Sequence, residues 1–509
     1  MNRESRQLRW MRLDNAALIF PAALRRHWSN AFRISFTFRD PVDPALLQQA
    51  LDAVAPRFPS VCVRLRRSAF WYYLEELEQP PRVREDAAQP LVGMTGADVK
   101  RCAIRVLYYR NRMAVEYFHA VTDGTGGMIF AKNLAAEYVR LRYGVPVPPE
   151  GDVKDLDEQP PAAEFTDSFQ PLVGMKRADV RRCAIRVLYY RSRMAVEFFH
   201  AVTDGTGALI FTKNLAAEYI RRRYGAEVPC EQGVLDLCEP PRREELEDCF
   251  QKNAGPVAAP RDDGNVYRLK GALEPDRFLH VTLGMVDSGL LHSRAKAMGV
   301  TVTAYLTAVL LESLLALQAR EVPRQSRRRP VKVQIPVNLR QLYGGQTLRN
   351  FVAVANIGVD PRLGDYTFPE LVQIVHHQMQ LAITAKNMQT IFTPNVNDAR
   401  NPFLKPVPLF LKNVIMRAVF DAIGERVASM TLSNLGAVRL PEAMAPYVER
   451  VEFVLGPQST APYNASVTSW QGQTYINIVR NTVEPRLERE FFTRLVKLGF
   501  HVKIESNNK

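Results

Sequence analysis

Hydrophobic and polar positions along the chain set out a series of short strands and amphipathic helices. AFRISFTF (31–38) alternates as a half-buried strand does. DPVDPALLQQALDAVAPRFP follows and predicts a helix. Asp43 suits its N-cap and Pro44 its first turn, and Leu46, Leu47, Leu51 and Val54 share one face. VCVRLRR and FWYYLEEL read as strands. A hairpin pattern then occurs twice, CAIRVLYYR followed by MAVEYFHA or MAVEFFHA, with Asn111-Arg112 or Ser192-Arg193 at the turn. Each hairpin leads through a polar TDGTG into an amphipathic helix, from about Gly126 or Gly207 to a stop at Gly144 or Gly225.

PVAAPRDDG (256–264) reads as a linker. Beyond it the pattern restarts with a strand at 277–286, helices at 289–298 and 302–319, and strands VKVQIPVNL and NFVAVANIGV. A long helix over about 368–390 and an apolar helical stretch (403–422) come next. The chain closes with strands ASMTLSNLG, VERVEFVLG, ASVTSW and TYINIVRN and the helix EPRLEREFFTRLVKLGF; residues 470–473 form a hairpin turn. Two successive mixed sets predict an α+β fold in two halves of similar size, 1–254 and 271–509, joined by a linker at 255–270.

The first half owes its length to a tandem repeat. Residues 89–169 and 170–250 align without a gap, His119 with His200 and Cys102 with Cys183, and most positions are identical until the tails diverge. Solenoids need three or more units, so two near-identical copies read as a recent segmental duplication inside a larger fold. A duplicated gene segment and an error of sequence assembly give the same pattern.

Composition narrows the class. At 47% hydrophobic and 24% charged residues the chain is ordinary for a folded protein, which excludes disorder over most of its length. The formal charge of +14 suits an anionic ligand, a nucleic acid or a membrane surface without choosing among them, and an arginine-rich codon bias produces the same excess. Six cysteines among 509 residues make no disulfide framework. The N-terminus MNRESRQLRWMRLDN has no apolar signal core, and TVTAYLTAVLLESLLAL (301–317) carries Glu312 and Ser313 and is short for a bilayer. The expectation is a cytoplasmic protein without a transmembrane segment.

The chemistry centres on H-x-x-x-D-G, present once per copy: His119, Asp123 and Gly124, then His200, Asp204 and Gly205. A histidine at a strand end can project into a cleft from a rigid support, and its neutral imidazole can accept a proton near pH 7. Glycine lets the chain turn sharply beside it. The aspartate, past the turn, can cap the helix or pair with an arginine. Three residues alone are a weak signal, and the structural alternative is a histidine bonded to a carbonyl with the aspartate as a simple cap.

In context, FHAVTDGTG between a strand and a helix, IPVNLR (335–340) and TLSNLG (431–436) occur in an order that resembles the condensation-domain and acyl-CoA-dependent acyltransferase superfamily. Its fold is chloramphenicol-acetyltransferase-like, and the sequence looks closest to its bacterial alcohol acetyltransferase branch. IPVNLR resembles the superfamily's Pro-Val-x-x-Arg strand. TLSNLG resembles the Ser-Asn-x-x-Gly segment of wax-ester-type members, although here one residue separates Asn434 from Gly436. The resemblance spans most of the chain, with one repeat unit supernumerary.

It implies two acetyltransferase-like lobes, each a two-layer α/β sandwich, with a tunnel between them. An acyl-CoA co-substrate enters from one face and a small alcohol or amine acceptor from the other. The motif histidine takes the acceptor's proton, and no metal or permanently bound cofactor is needed. Asp123 or Asp204 is expected to pair with Arg340, and Ser433 and Asn434 are candidates for hydrogen bonds near the oxyanion, Asn434 being equally a turn residue before Gly436. Many condensation domains carry two successive histidines, where this chain has Phe118 or Phe199; that favours the acyltransferase branch. One interface has room for one histidine loop. GALIF and the EELEDCF tail favour His200 over His119, leaving the other copy as an appended hairpin-and-helix module or a partly misfolded one. Rival readings are a condensation-like enzyme fed by a carrier protein and an inactive binding homologue. Two fused lobes predict a monomer.

The remaining constellations are weaker. His376-His377 are adjacent, which suits no metal site. Cys230, Cys238 and Cys249 lack zinc spacing, and Cys102 and Cys183 read as core residues. Arg320, Arg324, Arg327, Arg328 and Arg329 form either a solvated loop or an attractor for CoA phosphates. FLKPVPLFLKNVIMRAVF is a core helix or one facing lipid or an acyl tunnel. No phosphate loop, dinucleotide fingerprint or nucleic-acid groove is recognisable.

Overall fold

The computed structural model describes residues 10–13, 31–38, 48, 63–67, 72–77, 185–190, 193–199 and, with interruptions, 203–507; the longest interruptions are 256–264, 402–406, 415–426 and 457–461. The first repeat copy, Cys183, Cys238, the linker at 256–264, most of the expected helix after Asp43 and most of the stretch 403–422 lie outside the described residues.

The elements in chain order are β1 (Trp10–Arg12), β2 (Ala31–Phe38), β3 (Val63–Arg67), β4 (Tyr72–Glu76), β5 (Ile185–Tyr190), β6 (Arg193–Phe199), α1 (Gly205–Tyr224), β7 (His280–Asp287), α2 (Ser288–Ala297), α3 (Val302–Glu321), β8 (Val331–Asn338), β9 (Val352–Val359), α4 (Phe368–Ala382), α5 (Ala385–Arg400), β10 (Met430–Ala437), β11 (Val448–Leu455), β12 (Tyr463–Trp470), β13 (Gln473–Arg480), α6 (Arg486–Lys497) and β14 (Lys503–Ser506). They build a three-stranded sheet β1-β4-β3, a four-stranded sheet β11-β2-β6-β5 and a seven-stranded sheet β14-β7-β13-β12-β10-β8-β9. In the last, β10 runs parallel to both its neighbours and the other pairs are antiparallel.

The main core lies between the seven-stranded sheet and its helices. Leu306, Val309, Leu310 and Leu314 of α3 pack with Val331, Val333 and Ile335 of β8, with Leu371 and Val375 of α4 and with Leu487, Phe491 and Leu495 of α6. Each such apolar side chain, fully buried, contributes about 1.5–3 kcal/mol. Helix α3 is long and apolar enough to cross a membrane by length and composition, but most of it is buried within this core.

Two departures from the sequence expectation have local causes. The long helix over 368–390 is two helices, because Ile383 leaves helical geometry and Thr384 starts the second: its carbonyl accepts from Met388 N at 2.9 Å and its hydroxyl from Asn387 N at 3.3 Å. The sheets also do not divide where the sequence does. Strand β11 comes from the second half of the chain yet pairs in register with β2, from Phe32 opposite Leu455 to Phe38 opposite Val448.

The other side of β11 is held by side chains of the large sheet. Ser466 Oγ donates to Phe453 O at 2.6 Å, Thr468 Oγ1 to Val451 O at 3.0 Å, Asn477 Nδ2 to Phe453 O at 3.2 Å and Trp470 Nε1 to Val448 O at 3.2 Å. Backbone carbonyls that a neighbouring strand would have satisfied are satisfied by buried polar side chains.

At the far end of the sheet, Gln378 from α4 closes the edge strand β9. Its amide accepts from Gly358 N and donates to Gly358 O, both at 2.9 Å. A Cβ at Gly358 would lie 2.0 Å from Val331 O and 2.6 Å from Lys332 Cα, both backbone atoms of the neighbouring strand. Gly358→Ala is therefore expected to push β9 off β8 and destabilise the protein by about 1–3 kcal/mol; thermal and denaturant melting check this, and an unchanged midpoint would contradict the close approach.

Candidate active site

The segment that follows β6 in the second repeat copy enters α1 through Asp204. Asp204 is wholly buried and caps the helix, its Oδ1 accepting from Thr206 N at 3.1 Å and Gly207 N at 3.0 Å. The helix then runs to Gly225, whose left-handed φ of 63° makes the stop that its glycine signals. The other carboxylate oxygen faces the C-terminal half. It accepts from Arg340 Nη1 and, at 2.9 Å, from Phe351 N. Burial pushes the Asp204 carboxyl above the ordinary carboxylate range, and Arg340 with the backbone donors pulls it back down.

Arg340 opens a single helical turn (Arg340–Tyr343) just beyond β8. Its Nε donates to Thr347 O at 2.9 Å, and its backbone N–H donates to Asn338 Oδ1 at 3.2 Å. Asn338, the last residue of β8, reaches back with Nδ2 to Thr206 Oγ1 at 2.7 Å. Thr347 is tied in turn to the tail of the second repeat copy, its hydroxyl donating to Glu247 O at 2.7 Å. That segment is docked on the C-terminal half: Phe250 meets Phe351 and Phe392 edge-on at 5.3 and 5.5 Å, and Gly255 N donates to Thr393 Oγ1 at 3.1 Å.

Strand β10 brings the TLSNLG segment to the same place. Leu435 covers Gly205 so closely that a Cβ there would lie 2.7 Å from Leu435 Cδ2. Ser433 is buried in the strand. Asn434 is held at both ends of its amide, donating to Thr303 Oγ1 at 3.0 Å and accepting from Gly436 N at 2.8 Å; Gly436 has a φ of +72°. Asn434 thus braces an irregularity in the register of β10 between Asn434 and Ala437, within the strand rather than at a turn, and keeps one further N–H.

The structure brings Asp204, Gly205 and Arg340 together at the junction of the two halves, and Leu435, which follows Ser433 and Asn434 in β10, lies against Gly205. His200, His119, Asp123 and Gly124 lie outside the described residues. Asn338, Thr206, Thr347 and Phe351 belong to the site and were not singled out from the sequence. Asn338 stands inside IPVNLR, and its position two residues before Arg340 was the available signal.

The arginine run sits elsewhere. Arg324 to Arg329 precede β8, whereas Arg340 follows it, so the length of an eight-residue strand, about 25 Å, separates them. Arg328 bonds Val322 O at 3.1 Å and faces Asp365 at 3.7 Å, and Arg320 pairs with Glu490 at 2.7 Å. His376 and His377 lie ring to ring on α4, and among the described residues no group of three His, Cys, Asp or Glu gathers to hold a metal. Burial and Glu247 push the Cys249 thiol up to about 11, which keeps it an unreactive thiol.

No family model matches the sequence and no curated protein matches it. Solved structures match over nearly the whole length. Polyketide synthase associated protein 5 from Mycobacterium tuberculosis superposes with a TM-score of 0.53 at 12% identity, covering 96% of this chain and 97% of that one. TRI101 from F. sporotrichioides, in complex with coenzyme A and T-2, superposes with a TM-score of 0.50 at 11% identity, covering 97% and 99%. The chain thus shares a fold with these two structures, the chloramphenicol-acetyltransferase-like one. Its α+β, two-lobed architecture agrees with the sequence expectation, with β11 as the strand that crosses between sheets.

Two outcomes follow from these buried charges. Arg340→Ala leaves the Asp204 carboxylate sealed without its cation and is expected to cost about 3–5 kcal/mol of stability. Arg340→Lys keeps the charge but not the fork that spans Asp204 and Thr347, so it should fall between the two in thermal melting; melting of Arg340→Ala at the wild-type temperature would refute the clamp.

Lys213 in α1 is nearly enclosed and donates to Gln232 O at 2.9 Å; burial, with Arg439 adding like charge, pushes its amine down to about 7. The unfolded chain keeps that proton up to the ordinary 10.5. Between these values folding releases a proton, so the penalty of burying Lys213 shrinks as pH rises. Lys213→Met is expected to melt above the wild type near pH 6 and to lose that advantage by about pH 10; a pH-independent difference would contradict this assignment.

Proposed function

We propose that this protein is an acyltransferase that moves an acyl group, acetyl in the simplest case, from a CoA thioester to the hydroxyl of a small alcohol, with His200 as general base. The observation that carries the reading is the clamp on Asp204. It fixes the end of FHAVTDG at the junction of the two lobes, where a donor and an acceptor arriving from opposite faces would meet. The single Arg340 engages Asp204, which favours His200 over His119. The fold supports the same reading, as does the coenzyme A held by TRI101, a protein of that fold.

The chemistry asks little of the protein. The imidazole takes the hydroxyl proton as the alcohol oxygen bonds to the thioester carbonyl carbon. The tetrahedral oxyanion then collapses, the carbon–sulfur bond breaks and the departing thiolate receives the proton from the imidazolium. An activated thioester needs only a fixed base and two reactants held side by side. Ser433 and the remaining Asn434 N–H are the candidate donors to the oxyanion. In this reading the enzyme works as a cytoplasmic monomer without a metal or a permanently bound cofactor.

The test is thiol release from acetyl-CoA with a panel of alcohols, comparing wild type, His200→Ala, His119→Ala and the double variant. His200→Ala is expected to lose about 10²–10⁴-fold in kcat and His119→Ala to stay near wild type. Loss confined to His119→Ala would reverse the choice of copy, and full activity in the double variant would overturn the general-base mechanism.

A further inference from the structure

Asp204, Thr206, Asn338 and Arg340 close a ring of hydrogen bonds that crosses the lobe junction twice. Asp204 Oδ2 accepts from Arg340 Nη1 on one crossing, and Asn338 Nδ2 donates to Thr206 Oγ1 at 2.7 Å on the other. The ring closes within each half, because Asn338 Oδ1 accepts from the Arg340 backbone N–H at 3.2 Å while Asp204 Oδ1 accepts from the Thr206 backbone N–H at 3.1 Å. Asn338 ends the rigid strand β8 and Thr206 lies in the first turn of α1.

The buried ion pair holds the motif at Asp204, and the Asn338–Thr206 bond holds it again two residues further on. We propose that Asn338, acting through the Thr206 hydroxyl, is a positioning residue that fixes the first turn of α1 at the lobe junction and hence the aim of the base that precedes it in the motif. The inference rests on the acyltransfer reading above. Asn338 touches neither reactant in this scheme; it acts through the orientation of α1's first turn.

The role separates from plain stabilisation by its kinetics. Thr206→Val keeps the shape of the side chain and removes only the hydroxyl that Asn338 bonds, so it tests the tether even if Asn338→Ala folds poorly. A misplacement of a fraction of an ångström to an ångström costs about 10- to 100-fold in rate. Asn338→Ala and Thr206→Val are each expected to lower kcat by that much per folded molecule, with KM for acetyl-CoA within about twofold of wild type. The double variant should be no worse than the worse single one, because both remove the same bond. Thr206→Ser should restore activity.

A purely structural bond would lower the melting temperature and the folded fraction while leaving kcat per folded molecule unchanged, and that result overturns the inference. Additive losses in the double variant overturn it as well. Wild-type protein inactive towards every alcohol with acetyl-CoA overturns the acyltransfer reading and this role with it, whereas an active wild type with unaffected variants removes only the role of Asn338.

Discussion

A carboxylate shut away from water needs its charge answered on the spot, and Asp204 is answered from both halves of the molecule. The first turn of α1 supplies two N–H donors, and the C-terminal half supplies Arg340 and Phe351 N. Leaving any of these groups unpaired is expensive in a dry site, so the geometry of the junction is over-determined. The end of β8, the start of β9 and the start of α1 are held to one point, and everything the candidate site can do follows from that.

The same constraint speaks to the duplication. The two repeat copies share FHAVTDGTG to the letter, so the motif itself does not distinguish them. What distinguishes them is supply: the chain has one IPVNLR segment, hence one Asn338 and one Arg340. These engage Asp204 and Thr206 of the second copy. The motif of the second copy is thus joined to the end of β8 by Asn338 and Arg340.

Local patterning made much of this readable. The alternation of 31–38, 331–338 and 352–359 and the glycine stop at 225 match β2, β8, β9 and the end of α1 closely. What escaped was long-range. The crossing of β11 onto β2 leaves no trace in the periodicity of either strand. Ser466, Thr468 and Asn477 look like the solvent face of their strands but are buried against the carbonyls of β11. Asn338 was passed over for a related reason: nothing in an alternating strand says that its last polar side chain will meet a helix from the other half. The break at Thr384 was local, but a single cap inside a continuous apolar stripe is easily outweighed.

The pairing of β2 with β11 also bears on how the molecule is made. A nascent chain emerges from the N-terminus at about 5–20 residues per second, so the first of these strands must wait tens of seconds for the second to be translated. Until then β2 has one open side, and the early half of the polypeptide presents an adhesive edge to whatever else is nearby. This topology leaves that edge of β2 uncovered until the last third of the chain has been made.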